Sequence, residues 1–152
     1  MRSFPIRTAL LGATLLALAS CSDPVGSTVT GPQPQLNSTE VLYLRLAFHE
    51  KGYALQFRET VDDPILPALT DVYTYSGDEL RLYGFDTQAA ADSAVLTISQ
   101  DGETVAGEPV PWIDGKELHY FQMDKLLILH RGDRSDVDQI ITELTGGQFA
   151  GN

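Results

Sequence analysis

The chain has 152 residues, with 21 Asp and Glu against 10 Lys and Arg and a formal net charge of −11. So acidic a balance argues against nucleic acid as a partner, because Lys and Arg neutralising phosphates supply most of that affinity. The length fits one domain, and a single cysteine, Cys21, excludes an internal disulfide, so stability must come from buried apolar surface.

Arg2 and Arg7 give the N-terminus a positive flank, and Thr8 to Leu18 is an uncharged apolar run. That run is shorter than the ~20 residues a membrane-spanning helix needs, and its flanks fit an export signal. Leu18-Ala19-Ser20-Cys21 resembles the bacterial lipobox. The resemblance implies removal of residues 1–20 and lipid on the Cys21 thiol, with several acyl chains anchoring firmly where one binds only marginally. The alternative is an ordinary secretory signal cut after Ala19 or Ser20, with Cys21 left as a thiol. Asp directly after such a cysteine resembles an inner-membrane retention signal. Here Ser22 follows and Asp23 sits one place later, which favours the outer membrane in an envelope that has one.

Without its leader the chain keeps 8 basic and 21 acidic residues, a formal net charge of −13, which anionic headgroups repel. Ser22 to Ser38 is rich in Pro, Gly, Ser and Thr and keeps no helical or strand period. Such a composition predicts a flexible tether with a reach of about 20–25 Å. Residues 21–38 thus form the lipidated cysteine and tether, and 39–152 one folded domain.

Within that domain, Thr39 to Lys51 alternates like a strand but also carries Val41, Leu44 and Phe48, with Leu42 and Leu46, on one broad helical face. Ser38 as N-cap and Gly52 as stop tip the choice to helix. Tyr53 to Glu59 alternates as a strand until the proline-bearing segment 61–67 breaks it. Val72–Ser76 and Glu79–Phe85 predict a hairpin around Gly77-Asp78, with Tyr75 facing Leu80 and Tyr73 facing Leu82. A helix capped at Asp86 or Thr87 and running to about Ser99 follows, on the stripe Ala91, Ala94, Val95, Ile98. Thr104 to Ile113, interrupted by Pro109 and Pro111, predicts an edge segment.

Glu117 to Met123 and Leu126 to Arg131 predict a second hairpin around Asp124-Lys125, with Met123 opposite Leu126, Phe121 opposite Ile128 and His119 opposite His130. Arg134 to Leu144 carries the cleanest helical stripe, Val137, Ile140, Ile141 and Leu144. Gly146-Gly147 ends it, and Phe149 is placed to fold back on the core. The order hairpin, helix, glycine exit occurs twice. The expected fold is an α+β two-layer sandwich, an antiparallel sheet with helices on one face, built from two hairpin-helix repeats.

Asp101-Gly102, Pro111-Trp112-Ile113, His119-Tyr120-Phe121, Leu126-Leu127-Ile128-Leu129 with Gly132-Asp133, and Gly147-Gln148-Phe149-Ala150-Gly151 resemble a group of small bacterial lipoproteins without assigned function. The resemblance covers most of residues 39–151 and supports fold and compartment. It implies no catalytic residues. The chain departs from the group at Gly107-Glu108 and from Asp114 to Glu117.

Cross-strand His119 and His130 could hold a zinc or copper ion if an Asp or Glu supplied a third ligand; the bland alternative is two partly exposed histidines at a hairpin's open end. His49 has no spacing partner and reads as a surface residue. Asp133, Asp136, Asp138 and Glu143 lack the glycine of a calcium loop, and Ser135 with Asp138 reads better as a helix-capping pair. Arg131-Gly132-Asp133 reads as strand end, turn glycine and helix start rather than an adhesion tripeptide. Trp112 reads as core in preference to a ligand-facing aromatic. No hydrolase or phosphate-loop motif occurs. The expectation is a non-enzymatic envelope lipoprotein with no cofactor, bound to the membrane through Cys21 and to an envelope protein through its domain; the alternative is a small-molecule or metal-binding lipoprotein. Oligomeric state stays open.

Overall fold

Ser38 opens the first helix, α1 (Thr39–Glu50), by accepting a hydrogen bond from the Val41 amide at 3.4 Å. That satisfies one of the donors a helix start leaves unpaired. The computed structural model describes residues 34–111 and 115–152. The leader, Cys21, residues 22–33 of the expected tether and Trp112 lie outside them. Next come β1 (Gln56–Asp62), β2 (Leu69–Tyr75), β3 (Asp78–Gly84) and α2 (Gln88–Val95). They are followed by β4 (Thr104–Val105), β5 (Glu108–Pro109), β6 (Leu118–Met123), β7 (Leu126–Arg131), α3 (Ser135–Thr145) and β8 (Gln148–Gly151). Among the described residues no helix is long and apolar enough to cross a membrane.

The fold is α+β. Six strands pair antiparallel in the order β1-β2-β3-β7-β6-β8, so the two hairpins β2–β3 and β6–β7 meet at the centre. Strand side chains alternate between faces, and both faces are covered. Leu80, Leu82, Phe121 and Ile128 lie under Val41, Leu44 and Phe48 of α1 and Val137, Ile140 and Ile141 of α3. On the other face Tyr83, Tyr120, Leu127 and Leu129 pack with Ala91 and Ala94 of α2 and with Val105 and Val110. The expected grouping of helices on one face thus describes α1 and α3, while α2 lies across the sheet from them. Both hairpin-helix units are present in the order expected, their helices on opposite faces.

Several local expectations shift for identifiable reasons. In the first hairpin the turn is Ser76-Gly77, with φ of 50° and 96°, the paired positive values a type I′ turn needs. Tyr73 therefore faces Leu80, and Asp78 leaves the turn to become the first residue of β3, opposite Tyr75. The second hairpin has the expected register throughout, His119 opposite His130 included. β1 starts at Gln56 because Tyr53 stays with the helix: its amide donates to Phe48 O at 2.8 Å and its ring meets Phe48 edge-on. Residues 104–109 form a separate two-stranded ribbon rather than an edge of the main sheet. Gln148–Gly151 extends the sheet beside β6, and Phe149 packs near Tyr120.

Residues 35 and 36 already belong to the domain. Their amides donate to the two carboxylate oxygens of Asp71, at 3.2 and 3.0 Å, and Thr60 Oγ1 donates at 2.5 Å. Asp71 is wholly buried, and a buried carboxylate is tolerable only when its acceptors are filled. Burial, and then the nearby Asp71 charge, push the Tyr73 phenol up to about 12. Asp71→Ala is expected to cost about 2–4 kcal/mol, since it strands two backbone donors and the Thr60 hydroxyl. Urea unfolding of the variant checks this, and a loss below about 0.5 kcal/mol would mean the N-terminal clamp contributes nothing.

Candidate functional site

His119 and His130 face each other across β6 and β7, with ring centroids 5.5 Å apart and planes inclined by 23°. The pairing follows from the two-residue turn at Asp124-Lys125, where Asp124 takes a φ of 50°. Both side chains lie on the face covered by α3. His130 is wholly buried and His119 is 6% exposed, so the expectation of partly exposed rings at a hairpin's open end is corrected. The hairpin ends under a helix.

Four further groups converge on the two rings. Asp138, in the first turns of α3, brings Oδ1 to 2.7 Å from His130 Nδ1 and Oδ2 to 3.7 Å from His119 Nε2. Asp78 brings Oδ2 to 3.1 Å from His130 Nε2. Gln148 Oε1 accepts from His119 Nδ1 at 3.0 Å, and Glu117 Oε2 lies 3.4 Å from His119 Nε2. One ligand atom each from His119, His130 and Asp138 fall within 4.8 Å of one another. Asp78 approaches because Gly132 has no side chain: a Cβ there would collide with the Asp78 carboxylate. Asp138 is therefore not a capping residue. The N-cap of α3 is Arg134, with no side-chain cap bond, so Ser135 already lies inside the helix.

The other acidic candidates are engaged elsewhere. Asp136 accepts from Tyr53 Oη at 2.6 Å and from Arg134 at 2.5 and 3.1 Å. Hydrogen bonds from Arg134 and then Tyr53 hold its carboxyl well below the usual range. Glu143 pairs with Lys51 at 3.1 Å, so these residues do not converge on a calcium site. Arg131 is buried and bonded to Glu79 at 2.6 Å, which places the arginine of the Arg-Gly-Asp sequence inside the fold.

A second feature lies on the outer face of α1. Leu42, Tyr43 and Leu46 are 55%, 60% and 51% exposed, and Leu42 and Leu46 were expected on the buried side. With Arg45, His49, Tyr53 and Leu55 two of them, Leu42 and Leu46, line a groove of about 530 Å³. His49 is exposed, as its lack of a partner suggests. Across the sheet a smaller cavity of about 390 Å³ lies between α2 and the 65–67 segment, lined by Ile65, Leu66, Phe85 and Ala94 and by no charged side chain.

Sequence spacing finds the His119–His130 pair but none of its carboxylate or amide partners, because each comes from a different element. No protein-family model matches the chain, and neither does any curated protein or solved structure.

Behind the cluster, on the far face, Glu79 receives Arg81 at 2.7 Å and Arg131 at 2.6 Å. Burial works to raise its pKa, but the bonds from Arg81 and Arg131 outweigh burial and leave it below the ordinary 4.5. A carboxylate with a lowered folded-state value stabilises above its unfolded value and loses that contribution as pH falls through the folded one. Glu79→Gln should therefore be less stable than the native chain at neutral pH, with the two unfolding curves converging on acidification below the carboxylate range. A constant gap down through that range would contradict the assignment.

Proposed function

We propose that this chain is an extracytoplasmic lipoprotein, held by lipid on Cys21, whose folded domain is a non-catalytic binding module for an envelope protein. The observation that carries the reading is the outer face of α1. Three large apolar side chains stand exposed along one short helix, and contiguous apolar surface of that kind marks interaction sites. The helix begins at Thr39, directly after the tether region in the sequence. Arg45 and His49 beside the groove, in a chain otherwise strongly acidic, suit an apolar segment with acidic flanks. The same net charge disfavours an anionic lipid surface as the occupant.

A photocrosslinking residue at Tyr43 in the lipidated protein, in intact cells, tests this. Expected is one discrete protein adduct that disappears with Leu42→Glu plus Leu46→Glu, weakens with Cys21→Ala and persists with His119→Ala. Adducts only with lipid, only with a second copy of the chain, or none at all would contradict the reading. The alternative, a ligand-binding lipoprotein, is favoured by a different observation at the two histidines.

A further inference from the structure

From the arrangement of side chains between β6, β7 and α3 we infer a binding site for one divalent transition-metal ion, with zinc the natural occupant. The ligands are His119 Nε2, His130 Nδ1 and the Asp138 carboxylate, and Glu117, 3.4 Å from His119 Nε2, stands beside them. This is independent of the α1 surface.

The observation that points to a ligand is His119 Nε2, a buried nitrogen without a hydrogen-bond partner among the described residues. Buried polar atoms without a partner are uncommon, and here the reason is visible. An amide oxygen can only accept, so Gln148 Oε1 at 3.0 Å fixes the hydrogen of His119 on Nδ1. Nε2 is the ring nitrogen left to face the carboxylates. The groups it faces, Glu117 Oε2 at 3.4 Å and Asp138 Oδ2 at 3.7 Å, are acceptors too. A buried ring nitrogen flanked by two carboxylate oxygens beyond hydrogen-bond geometry marks a place for a cation.

Distances favour a metal over a bridging hydrogen. Charge-assisted N–H···O bonds run about 2.7–2.9 Å, well short of both separations. A four-coordinate zinc with bonds of about 2.0–2.1 Å spaces its ligand atoms by roughly 3.4 Å, close to both. On the second ring Asp78 holds Nε2 at 3.1 Å, which directs Nδ1 at Asp138. That contact, at 2.7 Å, is where an ion would displace hydrogen and widen the gap.

Both rings are thus oriented through the nitrogen not offered to the ion, as metal-binding histidines usually are. Two imidazoles with carboxylates suit zinc and its neighbours in the first transition row and are a poor set for calcium or magnesium, which prefer oxygen alone. The side chain of Glu117 is 56% exposed and that of Asp138 20%, so an ion reaches the site from solvent on their side.

The test uses the full-length chain in detergent, stripped of metal, with Cys21→Ser so that no thiolate competes. Co²⁺ is titrated by visible absorption and then displaced with Zn²⁺. Expected is one equivalent of Co²⁺ with the strong visible bands of a four-coordinate ion, and full displacement by Zn²⁺. His119→Ala and Asp138→Asn should each weaken Zn²⁺ binding by about 100-fold, and Gln148→Ala by about 10-fold. Circular dichroism establishes that each variant is folded, and Gln148 is exposed, so its truncation leaves the core intact. His130→Ala, in the core, is not needed for the conclusion. Absence of Co²⁺ bands in the folded native chain, or Zn²⁺ binding undiminished by His119→Ala, would overturn the site.

Discussion

His130 is wholly buried in the strand at the middle of the sheet, and both of its ring nitrogens face carboxylates from other elements. Asp78 comes from the start of the neighbouring strand and Asp138 from the helix above. One imidazole therefore ties together the first hairpin, the second hairpin and α3, the three parts whose apolar residues make up most of the larger core. Burying such a group without partners would cost several kcal/mol. Only the packing that supplies both carboxylates is tolerable, which sets the height and rotation of α3 on the sheet. The same placement leaves Asp138 with its second oxygen turned towards His119.

The two faces of the sheet solve the problem of buried charge differently. On the far side, Arg81 and Arg131 converge on Glu79, opposite charges in closed pairs. On the near side, carboxylates surround imidazoles, and one nitrogen is left without a partner among the described residues. The first arrangement sets arginines against a carboxylate. The second has a place for a cation. The groove on α1 is a third kind of feature, apolar surface left in water, and it lies on the helix that adjoins the cluster's roof, since α1 and α3 cover the same sheet face.

Much of this architecture could be read from the residues. Asp124-Lys125 stands between two strongly alternating runs, and the register it implied set His119 against His130 as observed. In the first hairpin, Ser76, Gly77 and Asp78 are all competent in turns, and pattern alone could not decide which pair turns. Ser76 adopting a positive φ decided it and released Asp78 to the strand, which is why its contact with His130 could not be foreseen. In α1 the apolar residues on both sides produced helical and strand-like periods at once; the cause is the exposed stripe at Leu42 and Leu46. Asp138 looked like a cap because a carboxylate at a helix start normally is one, and only the packing of α3 on β6 and β7 reveals its other partner. Strand β8 is four residues long with a glycine at its end and carries no usable alternation.

The metal site depends on Gln148 holding His119 through Nδ1, which leaves Nε2 to the ion. Nitrogen-15 NMR of the two histidines in the folded, metal-free protein reads this directly, because the ring nitrogens report which of them carries hydrogen. A hydrogen on His119 Nδ1 is expected, with the Nε2 resonance moving when Zn²⁺ is added and Gln148→Ala releasing the tautomer. A hydrogen residing on Nε2 of His119, unmoved by Zn²⁺, would contradict it.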